Sequence, residues 1–127
     1  MIDQQKINEV CASMIGIPYA EMDCWAIVVK FYKEAMDTEL KRYYERVPRD
    51  RSTAKNLIYT HKAEFYQVGT PEVGDIITIR LAGIESHIAV YLGEEKILHT
   101  SIATGCIIDR LSKWQKSIEG IYRVKND

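Results

Sequence analysis

Residues 87–99 read HIAVYLGEEKILH. Two apolar stretches flank Gly93-Glu94-Glu95, and their β-branched and aromatic content is that of paired strands joined by a tight turn. A three-residue loop that sets Leu92 opposite Lys96 also sets Ala89 opposite His99 and His87 opposite Ser101. Side chains alternate between the faces of a strand, so His87 and His99 then share one face as diagonal neighbours. A slip of one residue would send them to opposite faces, so the inference rests on the loop length.

Strand-like stretches surround this hairpin at residues 75–81, 105–109 and 118–124, which with 87–92 and 96–101 makes about five. Their short connections predict a mostly antiparallel meander, with one helical turn over 111–116 before the last strand. The N-terminal half has helical texture. Asp3 caps a first helix whose stripe is Ile7, Val10, Cys11, Met14 and Ile15. Gly16 ends it and Pro18 prevents its return. Asp23 caps a second helix that starts at Cys24 and carries Trp25, Val28, Phe31, Tyr32, Ala35 and Met36 at helical spacing, with further apolar residues on its other faces, so it is central and buried. Asp50 or Ser52 opens a short third helix through about His61. Helices first and strands afterwards predict an α+β layout, and 127 residues make one domain, 1–127.

Cys24 stands at the first position of an apolar helix. Unpaired N–H groups and partial positive charge gather there, which favours a thiolate and can hold an oxyanion. An ordinary buried cysteine would fit the same place, and the local pattern leaves both open. With His87 and His99 it completes a set of nucleophile, base and orienting residue. Two satisfied sheet histidines are the plainer reading, and a zinc site of Cys24, His87 and His99 lacks the spacing of known zinc motifs. Cys11 and Cys106 read as core residues. Trp114 and Tyr122 read as packing residues, and His61 receives no role.

Composition narrows the partners. Lys and Arg number 17 against 18 Asp and Glu, so no basic excess points to nucleic acid. The one basic and aromatic run, 41–51 (KRYYERVPRDR), reads as a solvated loop, with a substrate-facing rim as the functional alternative. No apolar stretch is long enough to span a membrane. The N-terminus, MIDQQKINEV, lacks the apolar region of a secretory signal, so synthesis in the cytoplasm is expected. No cofactor and no metal are expected.

The stretch Gly16-Ile17-Pro18-Tyr19 followed by Asp23-Cys24 resembles the nucleophile segment of the NlpC-type cell-wall cysteine peptidases. Pro71-Glu72-Val73-Gly74-Asp75 resembles their Pro-Gly-Asp turn, His87 to Gly93 their base-bearing strand, and Ile97-Leu98-His99 the strand of the third catalytic residue. The resemblance covers about residues 5–123. It implies a papain-like fold, with Cys24 as nucleophile, His87 as base and His99 as orienting residue. It also implies a Tyr19 hydroxyl directed at the oxyanion region, although packing after the proline turn fits Tyr19 as well. Asp23 matches the residue before the nucleophile and is read mainly as a helix cap.

Two departures concern the pocket. Trp25-Ala26 replaces a common Ser-Gly, and the loop between tyrosine and cysteine is shortened to Ala20-Glu21-Met22. Trp25 can line the cleft or anchor the helix. Both departures are similar to the branch found in phage tail-tip assembly proteins. The resemblance thus implies hydrolysis of a peptidoglycan stem-peptide amide, at the γ-D-glutamyl–diamino acid bond, by a tail-associated protein acting at the bacterial cell wall beside other tail-tip proteins. The alternatives are an antibacterial amidase effector, a non-catalytic tail-tip protein of the same fold, and a thiol acyltransferase or lipid-directed relative. The last is weakened because no membrane-binding segment is evident.

Overall fold

The computed structural model describes residues 3–42, 53–81 and 85–125. Helices α1 (Gln4–Met14), α2 (Cys24–Ala35) and α3 (Thr53–Thr60) precede six strands: β1 (Phe65–Gln67), β2 (Ile76–Leu81), β3 (Glu85–Gly93), β4 (Lys96–Ser101), β5 (Gly105–Arg110) and β6 (Ile118–Val124). The expected α+β layout is found. The residues expected to open the third helix, Asp50 and Ser52, lie outside the described residues, as does most of the basic and aromatic run.

Both predicted caps form. The Asp3 carboxylate accepts the N–H groups of Gln5 and Lys6, and that of Asp23 accepts the N–H of Ala26 at 3.0 Å. The α1 stripe buries Ile7, Val10, Cys11 and Met14. Ile15 departs from the expected stripe: it is the C-cap, and 49% of its surface is exposed.

The sheet is antiparallel, in the order β1-β6-β2-β3-β4-β5. It departs from the expected meander in two ways. β1, three residues long, is a sixth strand too short to show periodicity. And β6 pairs with β2 rather than with β5. A 3-10 segment, Leu111–Ser117, crosses the sheet and packs Leu111 and Trp114 with Ile77, Ile79, Ala89, Tyr91 and Ile97. This small second core covers the face that the helices leave open. The main core lies on the other face, where the three helices meet Ile76, Ile88, Val90, Leu92, Leu98 and Cys106.

The hairpin register holds in its body, where Val90 pairs with Leu98 and Tyr91 with Ile97. It differs at the tip. A bulge follows Tyr91, Gly93 rather than Leu92 faces Lys96, and Glu94 and Glu95 form a two-residue turn with φ of 52° and 62°. Positive φ at both central residues is the backbone of a type I′ turn, whose twist matches that of the strands.

At the far end of α2 the Asp75 carboxylate, 2% exposed, receives both arms of Arg123 at 2.9 and 2.8 Å and the N–H of Glu72 at 2.7 Å. The Tyr32 hydroxyl donates to the carbonyl of Gly74. These bonds join α2, the turn before β2, and β6.

Candidate active site

The segment between α1 and α2 is fastened to β5. The Gly16 N–H donates to the Cys106 carbonyl at 2.9 Å, and the Cys106 N–H donates to the Ile17 carbonyl at 3.0 Å. Gly105 makes this approach possible. Its φ is +67°, and a Cβ there would stand 2.9 Å from the Ile17 carbonyl oxygen. The Pro18 carbonyl then accepts the N–H groups of Glu21 and Met22, which closes a turn containing half-buried Tyr19. The chain leaves that turn into Asp23 and Cys24, so one edge strand of the sheet sets where the thiol stands.

Cys24 is 4% exposed. Burial, followed by the negative charge of Asp23, pushes its thiol up to about 12. The backbone N–H groups of Ile88, Trp25 and Cys24 face the sulfur and pull the other way. Ile88 follows His87 directly, so α2 carries the thiol to the strand position of the expected base. The resting sulfur is a thiol among backbone donors that could stabilise negative charge once a proton acceptor takes its hydrogen.

His87 and His99 are 7% and 4% exposed. Their ring centroids lie 6.4 Å apart and their planes meet at 77°, so the expected shared face is found. His99 also meets the Trp114 ring edge-on at 5.4 Å. Its Nε2 lies 3.4 Å from Oδ2 of Asp109. Burial holds the His99 imidazole below its ordinary value, and Asp109 offsets part of that effect. The ring is therefore neutral near pH 7.

Asp109 is the site residue that sequence reading missed. It lies on β5 opposite Ile97, diagonal to His99. Burial opposes its ionisation. The hydrogen bonds from the Arg110 N–H, Trp114, Lys113 and His99 outweigh it and hold the carboxyl below the usual carboxylate range. The available signal was pairing: extending the meander by one strand places 109 diagonal to 99, but nothing in the sequence specified that turn.

Trp25 does not line a cleft. It is 0% exposed, its indole N–H donates to the Lys41 carbonyl at 2.9 Å, and its ring meets Phe65 edge-on. Of the two readings of Trp25, the anchor is found and the cleft-lining, substrate-facing one is not: the side chain holds α2 in place, and only its backbone N–H faces the thiol. Asp23 caps the helix and lies 3.6 Å from the Arg42 guanidinium, which is half exposed beside the nucleophile segment. Cys11 and Cys106 are buried, as expected. Among the described residues no three or more His, Cys, Asp and Glu side chains are grouped to hold a metal ion, and no helix is long and apolar enough to cross a membrane.

The profile of the NlpC/P60 family matches residues 13–123. The chain is 24% identical over 106 residues to the protein named murein DD-endopeptidase MepS/murein LD-carboxypeptidase of Escherichia coli strain K12. That match takes in 81% of this chain and 50% of the relative, so the chain spans about half the length of the curated relatives it matches. The structure of the NlpC/p60 domain of the peptidoglycan hydrolase SagA superposes with a TM-score of 0.61 at 14% identity, covering 98% of this chain and all of that one. An NlpC/P60 family protein from Bacillus cereus ATCC 10987 gives a TM-score of 0.62 at 18% identity, over 95% of this chain and 40% of that one.

Proposed function

This chain belongs to the NlpC/P60 family, and on that premise we propose that it is a cysteine hydrolase that cuts an amide bond in the peptidoglycan stem peptide. One observation carries the reading: a buried thiol at the start of α2 faces the N–H of the residue after His87, and the His87 ring is met in turn by His99.

The chemistry follows from the resting state of the thiol. As the Cys24 sulfur attacks the amide carbon, its proton passes to His87. The carbonyl oxygen becomes an oxyanion held by backbone N–H groups at the head of α2, with the Tyr19 hydroxyl as a further donor. His87 then gives its proton to the leaving nitrogen, the C–N bond breaks, and a thioester remains on Cys24. Water attacks the thioester, losing its proton to His87, and the acid leaves as the thiol regains a proton. His99 orients His87 throughout.

For the bond we propose the γ-D-glutamyl–diamino acid linkage. The named activities of the Escherichia coli relative concern DD and LD linkages instead, and fragment masses separate the three. Digestion of purified peptidoglycan followed by mass analysis should leave L-alanyl-D-glutamate on the glycan and release peptides that begin with the diamino acid. Release of monomers with intact stems would indicate DD cleavage, and loss of only a terminal D-alanine LD trimming.

We place the protein in a phage or prophage tail tip, acting at the wall beside other tail-tip proteins. The shortened 20–22 loop and the Trp25-Ala26 pair support this. Tail genes beside the coding sequence would agree with it, and a neighbouring immunity gene would favour an antibacterial effector.

A further inference from the structure

The Asp109 oxygen that meets His99 has more than one donor. Oδ2 accepts the Trp114 indole N–H at 3.1 Å, lies 3.4 Å from His99 Nε2, and sits 3.3 Å from the Lys113 ammonium. Oδ1 accepts the Arg110 N–H at 3.0 Å. The indole N–H can only donate, which fixes Oδ2 as an acceptor. A carboxylate facing a neutral imidazole nitrogen places the ring hydrogen on that nitrogen.

We propose that Asp109 is a positioning residue for the His87–His99 pair: it holds the hydrogen of His99 on Nε2, leaving Nδ1 as the only acceptor the ring can offer His87. This rests on the reading of Cys24, His87 and His99 as the reacting set. Trp114 makes the arrangement rigid, because its ring stands edge-on to His99 while its N–H pins the carboxylate. The charged and titratable groups around the two side chains are His87, Lys113 and Asp109 about His99, and Lys113 and His99 about Asp109. Lys113 stands beside the carboxylate with 63% of its side-chain surface exposed, so solvent screens its charge.

Asp109→Asn in a Trp114→Phe background is the discriminating variant. With the indole N–H gone, the amide nitrogen can face Nε2 and donate to it, which drives the hydrogen of His99 to Nδ1. We expect kcat to fall roughly 10- to 100-fold, part of the range general acid–base catalysis supplies, with KM within about twofold. Asp109→Glu should retain more of the rate than the double variant, and Trp114→Phe alone should cost less than the double variant. Nitrogen-15 NMR of the folded protein supplies a readout that needs no turnover: His99 should be the Nε2–H tautomer in the wild type and in Trp114→Phe, and the Nδ1–H tautomer in the double variant. An unchanged tautomer overturns the proposal. So does a rate loss that only tracks the folded fraction. If the wild type releases nothing from peptidoglycan, the reaction reading fails alone, and the tautomer still decides the role of Asp109.

Discussion

At the scale of the residue, the thiol that should react is held in its unreactive form. Burial and Asp23 raise Cys24 to about 12. Its alkylation by iodoacetamide should therefore climb as pH rises above about 8.5 and show no plateau near neutrality. A plateau by about pH 6 would mean a standing thiolate. His99 has the complementary behaviour. Its imidazole is held below the ordinary value, so the unfolded chain takes up the proton first as pH falls. Its contribution to stability is complete above about pH 6.5 and is lost toward lower pH. His99→Gln should flatten the dependence of Tm on pH between about 7 and 5, and an unchanged slope would contradict this. The placement of Cys24 at a helix start and of His87 and His99 on one strand face was legible, because helix and strand periods reveal faces and ends. Asp109 was not, because its approach to His99 depends on a β4–β5 pairing that lacks a distinctive turn signal.

At the scale of the element, the β3–β4 hairpin and the β5 anchor set the geometry. Glu94 and Glu95 both occupy positive φ, where a side chain is strained. Glu95→Gly should stabilise the protein by roughly 0.5–1 kcal/mol in urea unfolding while leaving the site intact. Gly105 is the opposite case. Gly105→Ala pairs a φ of +67° with a Cβ 2.9 Å from the Ile17 carbonyl oxygen. It should cost about 1–3 kcal/mol and lower activity further, by loosening the segment that leads to Cys24. Wild-type activity in a folded Gly105→Ala variant would show that this fastening does not position the thiol. The body of the hairpin register could be read from the spacing of two apolar runs. The bulge could not, since Gly93-Glu94-Glu95 accommodates either a three-residue loop or a two-residue turn preceded by an extra residue.

At the scale of the whole molecule, two cores on opposite faces of one sheet hold the catalytic candidates where α2 meets β3 and β4, while the Asp75–Arg123 pair ties the far end. Arg123→Met would strand a carboxylate that is 2% exposed. Discounted for the partial exposure of the arginine, the loss should be about 2–3 kcal/mol in urea unfolding. Peptide release per folded molecule should be retained. The α+β class and the order of helices and strands were legible because period 3.6 gives way to period 2 near residue 70. The place of β6 was not, because a seven-residue 3-10 segment can return the chain to either side of the sheet. The central claim, that Cys24 attacks a stem-peptide amide, is tested most directly by digesting purified peptidoglycan with wild-type protein and with Cys24→Ala at matched Tm. The account predicts new peptide fragments from the wild type and none from the variant. Equal release from both would contradict it, as would silence from a folded wild type.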